Sequence, residues 1–338
     1  MAITAHRSMK TFSLLIPLLL ASLPFAKAAD PVSEMASFSS IEGADLSKLA
    51  KGEPITAKGP KMDSNRFLGI QACYIVNLPL QKAVELHKQW TPTSHKELKV
   101  YLHGDISSKP SLNDFRQIAT APGNGAVHSL MEATAKLDPE KPALQMSKAE
   151  AHASDKSFAP FWTNLLYQRS VAFASGGIAK QPPYEGDGGS VRASSEIQDL
   201  LSQQSKIKAH FKDFLSDAGL LGGGGKLPPS LYYELFDEEK KSAFLLGASY
   251  AKQSADTAQL ADVQFYATDG FYALVTIYQL WPIKIGSEQA TLVWRGDLIS
   301  SESFADLHGV ELESSHGFMM RETRKNISFV QKDAAGFR

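Results

Sequence analysis

Glycine-rich Gly222-Gly223-Gly224-Gly225-Lys226 has the composition of a phosphate-cradling loop. Its glycine spacing is wrong for one, and Leu227 stands where a magnesium-binding Ser or Thr is needed. The residues before it read as a helix, so the segment is expected to be a flexible joint. His87, His95 and His103 recur at intervals of eight. They fall on a predicted helix, loop and strand, there is no HExxH and no cysteine pair, so no metal site is expected. Gly247-Ala248-Ser249-Tyr250-Ala251 comes nearest to a nucleophile elbow, but it lacks the final glycine and lies in a predicted hairpin strand. No catalytic residue and no cofactor is therefore assigned. Cys73, the single cysteine, sits in Ala72-Cys73-Tyr74-Ile75-Val76 with no basic neighbour, which predicts a buried small hydrophobe rather than a reactive thiol.

Arg295-Gly296-Asp297 spells an adhesion tripeptide inside an apolar strand, where a receptor could not reach it. Alternation places Val293, Arg295 and Asp297 on one face and Trp294, Gly296 and Leu298 on the other. With one face in water, Arg295 and Asp297 make an exposed pair of little worth. With both faces covered, Arg295 needs a buried partner or an anionic ligand.

The elements that would position these groups follow from periodicity. Leu68 to Val76 reads as a strand, Pro79 to Trp90 as a helix and Glu97 to His103 as a second strand. A helical insertion is predicted over about 105–226, with helices at Leu112–Ala119, Val127–Leu137, Phe158–Ala174 and Ser194–Ala218. Hairpin strands follow at Leu231–Phe236 and Ser242–Tyr250, then at Val263–Ala267 and Phe271–Trp281, the latter pair turning at Thr268-Asp269-Gly270. Ala290–Ser300 is a further strand, and a helix from about Ser315 to Ala334 closes the chain. Met320, Thr323, Ile327, Val330 and Ala334 form its apolar stripe, with Phe318 and Phe329 roughly opposite. Residues 29–64 mix Ser, Ala, Gly and Lys without periodicity and are expected to be a flexible leader before one domain over 65–338.

This order predicts an α+β fold: a mostly antiparallel curved sheet with a long C-terminal helix and a helical insertion. The order resembles that of START-like helix-grip proteins, which implies a sheet wrapped around the terminal helix with an apolar ligand between them. Tyr278-Gln279-Leu280-Trp281-Pro282 and Leu292-Val293-Trp294-Arg295 also resemble segments of exported bacterial proteins. Both faces of the Phe271–Trp281 strand carry apolar bulk, as in a strand covered on both sides. The candidate ligand contacts are Tyr272, Tyr278 and Arg295, with Phe318 or Phe329 from the helix. The leading expectation is a binding module for an apolar small molecule or lipid. An extracytoplasmic hydrolase and an envelope structural or interaction protein are the rival classes, the last predicting an exposed apolar patch instead of a cavity.

Arg7 and Lys10, the apolar run from Thr11 to Ser22, Pro24 and Ala26-Lys27-Ala28 have the form of a cleavable signal peptide over residues 1–28. The run is shorter than the ~20 residues a membrane span needs. The protein is thus expected to be periplasmic or secreted, with no transmembrane segment after cleavage. Across 338 residues the formal charge is −1, which gives no electrostatic footprint for nucleic acid.

Overall fold

The computed structural model describes residues 30–186, 189–238 and 241–337. The expected signal peptide lies outside them.

The residues expected to be a flexible leader are built into the fold. Asp30 caps α1 (Pro31–Phe38) by accepting a hydrogen bond from the Ser33 amide at 3.0 Å, and Pro31 pre-sets the first turn. Met35 and Phe38 are buried. The Phe38 ring stacks on His210 at 3.9 Å and meets the edges of Phe211 and Trp294. After α2 (Leu46–Leu49), β1 (Ile55–Lys58) pairs with β2 (Phe67–Val76) and becomes one edge of the sheet. Five buried apolar anchors, Met35, Phe38, Ile41, Leu49 and Met62, spread over a polar background carry no short period, and tertiary packing decided the outcome.

All ten residues of β2 are buried, as in a strand covered on both faces. It leads to α3 (Leu80–Gln89) and β3 (Val100–Ile106). The strand starts later than expected because Lys99 adopts the left-handed region at φ 54°, closing a helical turn over Lys96–Leu98. Between β3 and the next sheet strand lie α4 (Gly125–Ala135), α5 (Lys148–His152), α6 (Phe158–Gly176), the small hairpin β4 (Tyr184–Gly186) and β5 (Gly189–Val191), and three short helices. These last are α7 (Ala193–Ser202), α8 (Ser205–His210) and α9 (Lys212–Asp217), where the sequence predicted one long helix. The breaks bring Phe211, Phe214 and Leu215 together into the core.

A continuous antiparallel meander follows: β6 (Ser230–Glu238), β7 (Lys241–Gln253), β8 (Ala258–Ala267), β9 (Ala273–Ile285) and β10 (Glu288–Ser300). The chain ends in α10 (Val310–Ala334), five residues longer at its start than expected. The eight-stranded sheet has the order β1-β2-β10-β9-β8-β7-β6-β3, so the fold is α+β with an antiparallel sheet. On one face the inserted helices and α1 build the larger core around Trp162, Phe211, Trp281 and Trp294. On the other face, Ile327, Val330 and Ala334 of α10 pack with α3 on Ala72, Tyr74, Val293 and Leu280. Among the described residues, no helix is long and apolar enough to cross a membrane.

Candidate functional site

α10 and α3 cover the sheet at β2 and β10, and the strands on the far side of that contact are left facing a hollow. The result is a cavity of about 1230 Å³ between α10, the end of α3 and the inner faces of β3 and β6 to β10. A smaller hollow of about 360 Å³ beside Pro79, Pro282 and Ile283 has few polar groups.

Strand alternation decides what lines the large cavity. Leu260, Leu274, Ile299, Met319 and Val330 supply apolar wall, and Phe236, Phe271 and Tyr278 supply aromatic faces. Register adds a polar band. Ser249, Asp262, Thr276 and Asp297 lie directly opposite one another across β7, β8, β9 and β10. Tyr232 of β6 reaches the same band, its hydroxyl donating to Asp262 Oδ1 at 2.7 Å. Gly247 makes that reach possible: a Cβ there would stand 2.2 Å from the Tyr232 ring.

Asp297 is saturated. It accepts from Arg295 Nε at 2.9 Å and from Thr276 at 2.7 Å, with Thr323 of α10 at 3.4 Å. Arg295 also donates from Nη1 to Asn326 at 3.3 Å and lies over the Tyr278 ring at 5.6 Å. Both faces of β10 are covered, and the partner of the half-buried Arg295 is the buried Asp297 on its own strand. At the other end of the band, His103 Nδ1 is 2.9 Å from Glu234 Oε1, and its ring stacks on Tyr232. Burial pulls the His103 pKa down, but Glu234, Asp105 and Asp262 more than offset this and raise it. Asp262 is pushed up to about 6, chiefly by burial and further by Glu234, against the hydrogen bond from Tyr232. His87 is held down to about 4 by burial, with Arg295 adding to the effect. It donates from Nδ1 to the Ala83 carbonyl at 2.7 Å, which leaves Nε2 to accept from the Tyr74 hydroxyl at 3.0 Å.

Of the expected ligand contacts, Tyr278, Arg295 and Phe318 line this cavity, Phe318 at the mouth with 53% of its surface exposed. Tyr272 does not. It precedes the first residue of β9, after a turn with Gly270 at φ 88°, so the strand's alternation does not reach it. Its hydroxyl donates to Glu302 and its carbonyl accepts from Tyr184. Phe329 also lies elsewhere, stacked on His95 at 4.2 Å while His95 meets Asp333 at 2.8 Å. His87 and His103 both line the cavity, with different partners, and His95 lies outside it. Ser249 faces the cavity from the middle of β7, not from an elbow. Cys73 is buried and its thiol is pushed up to about 12 by burial. Gly222 to Gly225 form a loop after α9.

Sequence reasoning missed Tyr232, Glu234 and Asp262, and weighed His103 only as a metal ligand. The signal was present in Leu260-Ala261-Asp262-Val263-Gln264, whose alternation is clear, but polar residues on one strand face read equally as a face in water. The chain matches no family model, no curated protein and no solved structure.

Proposed function

We propose that this protein is an exported binding module that holds an apolar small molecule or lipid between its sheet and α10, without chemistry of its own. The observation that carries this reading is the cavity itself: about 1230 Å³, walled by aliphatic and aromatic side chains and crossed by one hydrogen-bonding band. Ligand pockets usually span ~300–1,000 Å³ and combine apolar walls with a few placed polar groups, so this one is ample for a lipid-sized guest. The resemblance in element order to helix-grip proteins points the same way. Ser249 is hydrogen-bonded to no histidine among the described residues, so nothing favours the hydrolase reading over it. Export rests on Arg7, Lys10, the Thr11–Ser22 run and Ala26-Lys27-Ala28.

The test is native mass spectrometry with solvent extraction on protein purified from its own envelope fraction. A stoichiometric apolar molecule is the expected result. An empty protein that also takes up no apolar dye would remove the binding reading.

A further inference from the structure

Lys88, Asp105 and Glu322 stand at the solvent-facing rim of the cavity, and deeper in it two charged groups are bonded to partners. Arg295 is bonded through Nε to both oxygens of Asp297, and His103 is bonded to Glu234. Asp262 forms no ion pair with any of the described residues, Arg295 and His103 acting on it only from a distance. Tyr232 donates to its Oδ1, and its Oδ2 accepts no hydrogen bond from the described residues. A carboxylate withdrawn from bulk water without a counter-charge is costly, and its pKa of about 6 still leaves it ionised at neutral pH. The groups whose charges bear on it are Tyr232 and Glu234 from β6, His103 from β3 and Arg295 from β10. Aromatic faces stand in the same cavity: Tyr232 directly against Asp262, and Phe236, Phe271 and Tyr278 along the wall. Aromatic faces and a lone carboxylate are the two devices by which proteins hold an organic cation.

We propose that the guest is a singly charged organic cation, an amine or quaternary ammonium with an apolar body, seated with its charge against Asp262. This rests on the binding reading above. An anionic amphipath would meet the guanidinium of Arg295, but that charge is already balanced by Asp297, while the Asp262 carboxylate would repel it. A neutral guest would leave Asp262 unmatched. A cation gives Asp262 a counter-charge and leaves both existing pairs intact.

Three probes of equal chain length separate the cases: dodecyltrimethylammonium, dodecanol and dodecanoate, each below its aggregation concentration, displacing an apolar dye from the purified protein. The ammonium is expected to displace the dye at a concentration about tenfold below the alcohol and further below the carboxylate, since tenfold corresponds to ~1.4 kcal/mol. Asp262→Asn is expected to bring the ammonium within about threefold of the alcohol, corresponding to ~0.6 kcal/mol of residual preference. The alcohol, measured on the same variant, is the reference against which the ammonium's loss is read. Tyr232→Phe, which keeps the charge, should retain the preference. Equal binding of all three probes, or preference for dodecanoate, would overturn the cation proposal and leave the binding module standing. Dye uptake with displacement by none of them would also overturn it, and no dye uptake at all would take the binding reading down as well.

Discussion

Asp262 and His87 titrate on opposite sides of their ordinary ranges, and their effects on stability oppose each other. For Asp262 the folded pKa, about 6, lies above the unfolded value of 3.8, so the folded state binds its proton more tightly. Its cost to stability is therefore present above pH 6 and disappears as pH falls toward 3.8. For His87 the folded pKa, about 4, lies below the unfolded 6.5, so stability is lost as pH falls from 6.5 to 4. We expect Asp262→Asn to be more stable than the parent by about 1–2 kcal/mol at pH 7.5, allowing for partial hydration of the cavity. In urea titrations that gap should close by pH 4; a gap independent of pH would show that Asp262 does not titrate as described. Arg295 gives a prediction of the opposite sign. Arg295→Met leaves Asp297 buried without its counter-charge and should cost about 3–5 kcal/mol. Adding Asp297→Leu should recover most of that loss, which a thermal melt of the pair against each single variant would read. Recovery would identify the unpaired charge, and not the lost guanidinium packing, as the source of the damage.

The elements show where sequence patterning was sufficient and where it was not. The meander β6 to β10 was legible because alternation, an Asp-Gly turn and charged hairpin ends all agree. Four of the five expected stripe residues, Thr323, Ile327, Val330 and Ala334, are buried, because a long helix on a sheet repeats its contacts at a fixed spacing, while Met320 is only half-buried. α1 and β1 were not legible, since Met35, Phe38 and Ile41 anchor through contacts far away in the chain that no local window contains. Phe38→Ala is accordingly expected to cost about 3–5 kcal/mol, the usual range for a buried aromatic, where a loosely held leader would lose nothing. The cavity was half legible. Tyr278 and Arg295 stood out by type and alternation, whereas Tyr232 and Asp262 meet only because β6 and β8 are both neighbours of β7 with Gly247 between them. Gly247→Ala should push the Tyr232 ring away, break its hydrogen bond to Asp262 and lower dye affinity by more than it lowers the melting temperature.

At the scale of the whole molecule, the sheet has a core on each face, and the large cavity lies on the face carrying α10. Filling it tests whether the hollow is needed for folding. Leu274→Trp projects into open volume, so the melting temperature should shift by no more than ~4 °C while dye uptake falls sharply. A large loss of stability would mean that the space is smaller than the static structure shows. The strand order carries a further consequence, which concerns time. β7 to β10 each pair with the strand just before them, but β2, buried along its whole length, pairs with β10 near the other end of the chain. The hydrogen bond from Thr291 to the Leu78 carbonyl spans 213 residues. At a synthesis rate of ~5–20 residues per second, an apolar ten-residue strand leaves the ribosome ~10–40 s before its main partner exists. For that interval the N-terminal half cannot reach its final state, and its most hydrophobic strand has only β1 to pair with. The molecule as a whole is thus a late finisher, since β2 gains its main partner only when β10 has been made.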